Sequence, residues 1–306
     1  MRQPTRLAIL LAFAALYLIW GSTYLFIRLA IDSIPPFLMA GSRYLTAGVI
    51  LYLMARTQGA TKSRAITWWS ALIVGGFLLL GGNGGVTISE EYIDTGLAAV
   101  IVATVPIYIV LLSWAMAVTP RPRLSVLLGL LGGFVGVGIL MVPSLHYSGA
   151  ERRHPEIGII ILLFASLFWS IGSLYSRAAK NADSPFLAAG QQMICGGVLL
   201  LLAGLITREQ FHFRQVTAVS IWAWIYLVLI GAIIGFSAYI YLLRHCDPTT
   251  VATYAYVNPI VAVILGVFFR GEHLTSRTIV AAILIIGSVA IVITTQQLRP
   301  KSVPPV

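Results

Sequence analysis

Long apolar runs, separated by short polar breaks, make up most of the sequence. A helix that crosses the roughly 30 Å hydrocarbon core of a bilayer needs about 20 mostly apolar residues, and ten runs have that length. They predict transmembrane helices over 7–28, 36–55, 66–89, 96–118, 124–142, 157–176, 186–207, 219–243, 250–270 and 276–296. The remaining residues suffice only for loops and tails, so the pattern predicts an all-α membrane protein without a separate soluble domain.

An internal repeat relates the two halves of the chain. Residues 18–53 match the segment 149 positions later without a gap, at 14 of 36 positions, and Trp20 pairs with Trp169. Because five helices per half is an odd number, the second half must enter the membrane from the opposite side. We therefore predict two inverted five-helix repeats with a central site between them, an architecture typical of transporters. The predicted repeats are 7–142 and 157–296.

The composition agrees with a location in the lipid bilayer. The chain is 58% hydrophobic and 10% charged, whereas soluble domains are about 45–50% apolar and about 25% charged. A net charge of +10 would suit a nucleic-acid ligand. However, 12 Lys and Arg residues lie on the side of the membrane that holds the N terminus, against 7 on the other side. By the positive-inside rule both termini are cytoplasmic, and no nucleic-acid partner is predicted.

Catalytic and metal-binding groups are missing from the predicted helices. No His, Asp or Glu lies well within any of the ten spans, so the parts of a membrane-embedded hydrolase are absent. The sequence also lacks the Gly-x-x-x-x-Gly-Lys-Ser/Thr loop that an ATP-driven pump requires. We therefore predict no catalytic residue, no metal site and no cofactor.

Arg43 is the one clear charge inside a predicted span. A charged side chain at that depth needs a partner or water. Glu90, Glu91 and Asp94 cluster between spans three and four, where an ion pair with Arg43 is feasible. Two interpretations stay open. Either Arg43 binds a substrate carboxylate, exchanging it for one of these acids during the cycle, or it is a structural arginine that is permanently paired or snorkels.

Asn83 lies in the most unusual local sequence, Gly81-Gly82-Asn83-Gly84-Gly85. Glycines weaken a helix and permit a local break or the close approach of a neighbouring helix. A local break would let Asn83 present its amide to a cavity. Tight packing would instead bond Asn83 to another helix.

Pro106 in span four and Pro259 in span nine occupy corresponding places in the two halves. Each proline frees a carbonyl group, and the two kinks would face each other across the pseudo-two-fold axis. Tyr254 and Asn258 share a helical face just before Pro259. The pattern favours a pocket, with simple packing as the alternative.

Span one carries Trp20, Ser22, Thr23 and Tyr24, and Trp169 is the repeat partner of Trp20. Aromatic residues near helix ends usually form interfacial belts, but these two tryptophans are closer to mid-span, which favours a lining role. The alternative for Ser22 and Thr23 is a hydrogen bond to the preceding helical turn.

Span five contains two overlapping Gly-x-x-x-Gly patterns, which are typical of close helix contacts. They are formed by Gly129, Gly132, Gly133 and Gly136. The partner is either span ten of the same chain or a second copy of the protein. We predict the contact within the chain and hence a monomer, with a dimer as the alternative.

Several short motifs, taken in order, resemble the EamA family of the drug/metabolite transporter superfamily over roughly 7–296. The motifs are Trp20-Gly21-Ser22-Thr23-Tyr24, Ala40-Gly41-Ser42-Arg43-Tyr44, Gly82-Asn83-Gly84, Gly96-Leu97-Ala98-Ala99 through Pro106, and Ala255-Tyr256-Val257-Asn258-Pro259 with Gly271-Glu272. The resemblance implies ten helices in two inverted repeats and a central cavity. It also implies export of amino acids or other small metabolites from a bacterial inner membrane, without identifying the solute.

Proton coupling needs its own candidate residue. Small four-helix relatives in the superfamily use a carboxylate in their first helix to couple substrate to protons. Spans one and six contain no Asp or Glu, so Glu90 or Glu91 is the candidate for coupling.

The leading hypothesis is a secondary carrier that works by alternating access on a small-molecule substrate. A passive channel or facilitator is the second, and a membrane-embedded enzyme the third. The predicted substrate-binding residues are Trp20, Ser22, Thr23, Tyr24, Arg43, Asn83, Pro106, Trp169, Tyr254, Asn258 and Pro259.

Overall fold

A computed structural model describes residues 5–60, 64–93, 98, 101–147, 154–261 and 276–297. No strand occurs among these residues, which form α-helices, two π-helical segments and one short 3₁₀ turn. The α-helices are α1 Arg6–Ile31, α2 Pro36–Thr57, α3 Ala65–Gly75, α4 Gly85–Tyr92, α5 Val105–Ala115, α6 Leu124–Tyr147, α7 Pro155–Ala178, α8 Pro185–Ile206, α9 Ala218–Tyr226, α10 Ser237–His245, α11 Pro248–Val251 and α12 Ser276–Gln297. The π-helical segments are π1 Gly76–Gly84 and π2 Leu227–Phe236.

Six continuous helices in the described part of the chain are long and apolar enough to cross a membrane. Four of them are α1, α2, α7 and α8, and two are the composite helices α3–π1–α4 and α9–π2–α10. These six confirm the predicted spans 7–28, 36–55, 66–89, 157–176, 186–207 and 219–243. The predicted spans 96–118 and 250–270 lie partly outside the described residues, as do the Gly96–Ala99 and Gly271-Glu272 motifs. The helical membrane class is therefore confirmed, while the full ten-helix arrangement stays a prediction.

Prolines start three of these helices. Pro36, Pro155 and Pro185 occupy the first turns of α2, α7 and α8. A proline is well suited to this place because its missing N–H has no intrahelical acceptor there and its φ angle is already helical. At α8 the Ser184 side chain adds an N-terminal cap.

Helices α2 and α8 cross with their backbones in contact. A Cβ atom on Gly48 would lie 2.7 Å from the Ile194 nitrogen and 2.9 Å from the Gly190 carbonyl oxygen. A Cβ atom on Gly197 would lie 3.0 Å from the carbonyl oxygen of Gly41. In the sequence repeat Gly41 matches Gly190 and Gly48 matches Gly197, so the contacts are reciprocal. Reciprocal contact is the geometry expected of two elements related by a two-fold axis.

Helices α6 and α12 form a second close pair, through the Gly-x-x-x-Gly face. Added Cβ atoms on Gly129, Gly132 and Gly136 would meet α12 side chains at 2.9–3.2 Å, including Ser288 Oγ and Ile285 Cγ1. Of the two alternatives for this face, the contact within the chain is the one present. The monomeric state stays a prediction.

The two π-helical segments occupy the third long helix of each half. Wide turns of this kind are rare and are frequently found at functional sites. Segment π1 packs against α7 and α8, and π2 packs against α1 and α2. Each segment therefore contacts the first two helices of the opposite half. The predicted break near Gly81–Gly85 is a continuous helix of altered winding, because glycines accommodate the wider turn.

Candidate functional site

A partly open cavity lies between helices of the two halves, with about 610 Å³ of empty space that includes open solvent. Its described lining comes from α1, α2, π1, α4, α5, α7, π2 and the segments just before α5 and after α11. Eight of the eleven residues predicted to bind substrate line it. They are Trp20, Thr23, Tyr24, Arg43, Asn83, Trp169, Tyr254 and Asn258.

Arg43 is buried in the wall of this cavity, with 3% of its surface exposed. Its Nη2 donates a hydrogen bond to Asn83 Oδ1 at 3.0 Å, and its Cζ lies 4.2 Å from the centroid of the Tyr44 ring. The Nε and Nη1 atoms have no hydrogen-bond partner among the described residues. The guanidinium charge is thus held by a neutral amide and an aromatic face.

The predicted ion pair between Arg43 and Glu90 or Glu91 does not appear in the described structure. Glu90 is buried in α4, and its backbone carbonyl accepts a hydrogen bond from Arg28 Nη1 at 2.9 Å. Glu91 is exposed and faces a different pocket. Helical rise explains the absence for Glu90, which lies seven residues, or about 10 Å along the helix, beyond Asn83, the residue that bonds to Arg43. Asp94 lies outside the described residues.

The glycines beside Asn83 pack tightly, as one alternative required, and its amide faces the cavity without the local helix break that the other alternative assumed. Added Cβ atoms on Gly82 and Gly85 would lie 2.7 Å from Trp169 and 2.6 Å from Ala165. The Asn83 carbonyl oxygen accepts a hydrogen bond from Thr87 Oγ1 at 2.9 Å. The glycines bring π1 against α7, and the amide side chain then reaches Arg43.

Four aromatic rings close one end of the cavity. Trp20, Trp169, Tyr239 and Tyr254 pack with ring centroids 5.0–5.9 Å apart. The repeat partners Trp20 and Trp169 meet edge to face at 5.4 Å. Trp20 Nε1 donates to the Gly231 carbonyl at 3.3 Å, and the Tyr239 hydroxyl is hydrogen-bonded to Ser173 Oγ. We call this set the aromatic cluster. Nearer the start of α1 than this cluster, the Tyr17 hydroxyl is hydrogen-bonded to Thr253 Oγ1 at 2.6 Å.

A second pocket of about 950 Å³ lies beyond the other end of the cavity, and we call it the vestibule. Ile27 lines the cavity, and Ile31, one helical turn farther along α1, lines the vestibule. The vestibule is acidic, with Asp32, Glu91 and Glu209 in its wall. The cavity therefore has a polar vestibule at one end and packed rings at the other.

Glu209 also fixes the vestibule end of α2. Its two carboxylate oxygens accept hydrogen bonds from the backbone N–H groups of Phe37 and Leu38, each at 2.9 Å. A carboxylate at a helix N-terminus satisfies unpaired donors and interacts favourably with the helix dipole. Because Glu209 follows α8, this contact ties the end of α8 to the start of α2.

Three predicted residues do not line the cavity. Ser22 faces α9, where its Oγ lies 2.7 Å from the Tyr226 hydroxyl and also donates to the Ile19 carbonyl. Pro106 is buried in the first turn of α5, so it starts that helix and does not kink it. Pro259 is buried in the helical stretch 254–261. Ser22 does not line the cavity because it points away from the face of α1 that does. That face carries Trp20, Thr23, Tyr24 and Ile27.

Asn258 and Thr23 line the cavity while bonding to nearby backbone. The side-chain amide nitrogen of Asn258, oriented toward nearby backbone, donates to the carbonyl oxygens of Tyr254 at 3.0 Å and Tyr17 at 3.3 Å. Thr23 Oγ1 donates to the Trp20 carbonyl at 2.8 Å. The alternative of a bond to the preceding turn therefore holds for Thr23 together with the lining role.

Two polar residues near the cavity were missed by the sequence analysis. Ser166 lines the cavity one turn before Trp169 on α7, and its Oγ has no hydrogen-bond partner among the described residues. Tyr239 is buried behind the lining as part of the aromatic cluster. The i, i+3 spacing from Trp169 could have identified Ser166. No group of three or more metal-ligating side chains occurs in the described part of the chain.

The chain matches known transporters over most of its length. The EamA-like transporter family matches residues 6–142 and 156–294. The uncharacterized inner membrane transporter YedA of Escherichia coli (strain K12) is 36% identical over 296 residues, which cover 94% of this chain and 92% of YedA. The uncharacterized transporter YvbV of Bacillus subtilis (strain 168) is 28% identical over 290 residues, covering 94% and 92%. A solved crystal structure with 18% identity superposes at a TM-score of 0.76, covering 96% of this chain and 99% of that chain, which shows a shared fold.

Proposed function

The chain belongs to the EamA-like transporter family, and from that premise we propose a secondary transporter of amino acids or related small metabolites that works by alternating access. It is a multi-pass inner membrane protein, in keeping with its six membrane-length helices and with YedA. The cavity between the halves is the proposed substrate site. We propose that its eight predicted lining residues contact the solute.

The asymmetry of the cavity is the observation that carries this proposal. Alternating access requires a central site that opens to one side of the membrane at a time. The vestibule adjoins one end of the cavity, whereas Trp20, Trp169, Tyr239 and Tyr254 pack against each other at the other. A passive channel, the alternative, would need a path without such a block.

Two inverted five-helix repeats, 7–142 and 157–296, are the proposed framework for this motion. Three observations support them. The family matches the chain twice, the glycines of α2 and α8 contact each other reciprocally, and π1 and π2 occur in the third long helix of each half. Repeats of this kind rock against each other about a fixed central site.

The proposed orientation has both termini in the cytoplasm, from the excess of Lys and Arg on the side that holds the N terminus. In this orientation the vestibule opens to the periplasm and the aromatic cluster faces the cytoplasm. The structure then corresponds to an outward-facing state. Export is the proposed direction.

Counterflow in proteoliposomes tests the carrier hypothesis. We expect saturable uptake of a labelled amino acid or metabolite that accelerates when the same unlabelled solute is loaded inside. Trp20→Ala should abolish this uptake, whereas Trp222→Ala, at a residue 70% exposed on the helix surface, should not. Flux that rises linearly with concentration and ignores the internal solute would identify the passive channel instead.

Glu90 and Glu91 are the proposed carboxylates for coupling to protons. Imposing a pH gradient on the same vesicles tests this. Flux that follows the gradient in the parent protein, and loses that dependence in Glu90→Gln or Glu91→Gln, supports coupling through the altered residue. Flux in the parent protein that ignores the gradient contradicts it.

A further inference from the structure

The described wall of the cavity contains hydrogen-bond donors that have no partner. Arg43 Nε and Nη1 and Ser166 Oγ are buried and have no hydrogen-bond partner among the described residues. Arginine nitrogens only donate, while a serine hydroxyl can also accept. Buried donors without partners are costly, so an arrangement of several around one cavity indicates a ligand that brings acceptors.

The described wall also lacks an acid. Arg43 is the one charged side chain among the described lining residues, and its hydrogen-bonded partner there, Asn83, is neutral. A buried charge that is not neutralised is expensive in a membrane interior. One negative charge on a ligand would offset it. An ammonium group would find no described carboxylate in the wall to replace its hydration.

The rest of the wall is apolar and partly aromatic. Trp20, Trp169 and Tyr254 present rings to the cavity, and Val102 and Val105 add aliphatic surface. Such a wall suits a compact apolar body and offers little to a polyhydroxylated one.

From these observations we infer that the site selects organic monocarboxylates, whose carboxylate lies at Arg43 and whose apolar body lies against the aromatic rings. The inference rests on the proposed function, because it assigns the substrate class of that same cavity. An α-amino group is not needed for recognition. A phosphomonoester carries about −1.5 to −2 charges at pH 7, which a single arginine does not balance. A carboxylate carries one.

A headgroup series on one body tests the inference by binding to the purified parent protein. The ligands are 3-phenylpropionate, its neutral amide, phenethylamine, phenylalanine and phenyl phosphate. Quenching of tryptophan fluorescence reports occupancy beside Trp20 and Trp169. We expect the carboxylate to bind at least about tenfold more tightly than the amide, the amine and the phosphate, since a hydrogen bond to a charged group contributes roughly that factor. We expect phenylalanine, which has the same carboxylate, to bind no more tightly than 3-phenylpropionate. Equal or tighter binding of the amide, the amine or the phosphate, or tighter binding of phenylalanine, overturns the inference.

The size of the apolar body is varied in parallel, because a phenyl ring can be too large or too small for the cavity. The carboxylate and amide series is repeated with butyrate and with indole-3-propionate. Failure of all three carboxylates to bind at millimolar concentration also overturns the inference. In Arg43→Gln the preference for carboxylate over amide should vanish, and in Arg43→Lys it should persist. If Arg43→Gln does not fold, the comparison between the ligands in the parent protein still decides.

Binding and transport can fail separately. If carboxylates bind selectively and no solute shows counterflow, the substrate class stands and the carrier function fails. If counterflow is found for a cationic or neutral solute that also binds better than 3-phenylpropionate, the carrier stands and the inferred substrate class fails.

Discussion

Gly235 lies directly behind Trp20, so that a Cβ atom on Gly235 would come within 2.6 Å of the indole Nε1 and 2.9 Å of Cδ1. The same Nε1 donates to the carbonyl of Gly231, one turn earlier in π2. The aromatic cluster is therefore positioned by the backbone of a helix from the other half of the chain. Even the smallest side chain at Gly235 would force the ring to move.

We predict that Gly235→Ala displaces Trp20 and lowers transport by at least about tenfold, while the protein still folds. Counterflow and size-exclusion chromatography of the same preparation measure the two properties. Gly138→Ala is the matched control, because no atom of another helix in the described part of the chain lies within 4 Å of its added Cβ. Its transport should be unchanged, and its stability should rise by up to about 1 kcal/mol. Equal transport by the two variants would show that the position of Trp20 is unimportant.

The crossing of α2 and α8 makes a stability prediction. An alanine at Gly48 would place its Cβ against backbone atoms of Ile194 and Gly190, which cannot move as a side chain can. We expect Gly48→Ala to lower the free energy of unfolding by about 1–3 kcal/mol, as overpacking does. Thermal unfolding in one detergent measures it. Gly76→Ala, whose nearest atom is 3.7 Å away, should not be destabilised, and an equal loss there would contradict the explanation.

The sequence predicted the cavity residues well where a helical period or the repeat applied. Trp20, Thr23 and Tyr24 lie on one face of α1, and Trp169 followed from its match to Trp20. The same period would have excluded Ser22, which points to Tyr226 instead. Local patterns thus identify faces of helices, which is why most of these residues line the cavity together, while their contact with substrate stays a prediction.

The sequence could not predict which faces meet. The bond from Arg43 to Asn83 joins residues 40 positions apart, and its geometry depends on how π1 packs against α7. Acidic residues near span three made an ion pair with Arg43 plausible, yet the described structure offers a neutral amide. The π-helical winding itself leaves no clear mark in the sequence, because apolar segments such as 227–236 are equally compatible with an α-helix.

The partnership of Arg43 with Asn83 leads to a third prediction. Asn83→Asp would place a carboxylate where the amide oxygen now lies, 3.0 Å from Arg43 Nη2. The internal carboxylate would neutralise the guanidinium, so binding of 3-phenylpropionate should weaken at least about tenfold while stability is retained. Fluorescence titration and thermal unfolding measure these effects. Asn83→Ala removes the acceptor without adding charge and should keep the preference for carboxylate over amide. Undiminished binding by Asn83→Asp would contradict the role given to the Arg43 charge.

Cys246 provides a test of orientation. It follows α10 at the end of the sixth membrane-length helix in the described part of the chain and is half-buried, and its backbone carbonyl accepts a hydrogen bond from Arg177 Nη1. With both termini in the cytoplasm, Cys246 lies on the cytoplasmic side. We predict that a membrane-impermeant maleimide labels it in inside-out vesicles and not in intact cells. Labelling from the outside of intact cells would reverse the proposed orientation.

The rate of that labelling should depend on pH in a defined direction. Burial raises the pKa of the Cys246 thiol above its usual value; Arg177 opposes this increase in part, and the nearby Asp247 carboxylate adds a smaller increase. Because the thiolate is the reactive form, Cys246 should react more slowly at pH 7 than a free cysteine peptide. Its rate should rise about tenfold per pH unit until the raised pKa is reached. Cys195, in the middle of α8, is the internal control, and Cys246→Ser should abolish the impermeant signal in inside-out vesicles. A signal that persists in Cys246→Ser would mean that Cys195 is the labelled residue, which would contradict its placement within a membrane-spanning helix.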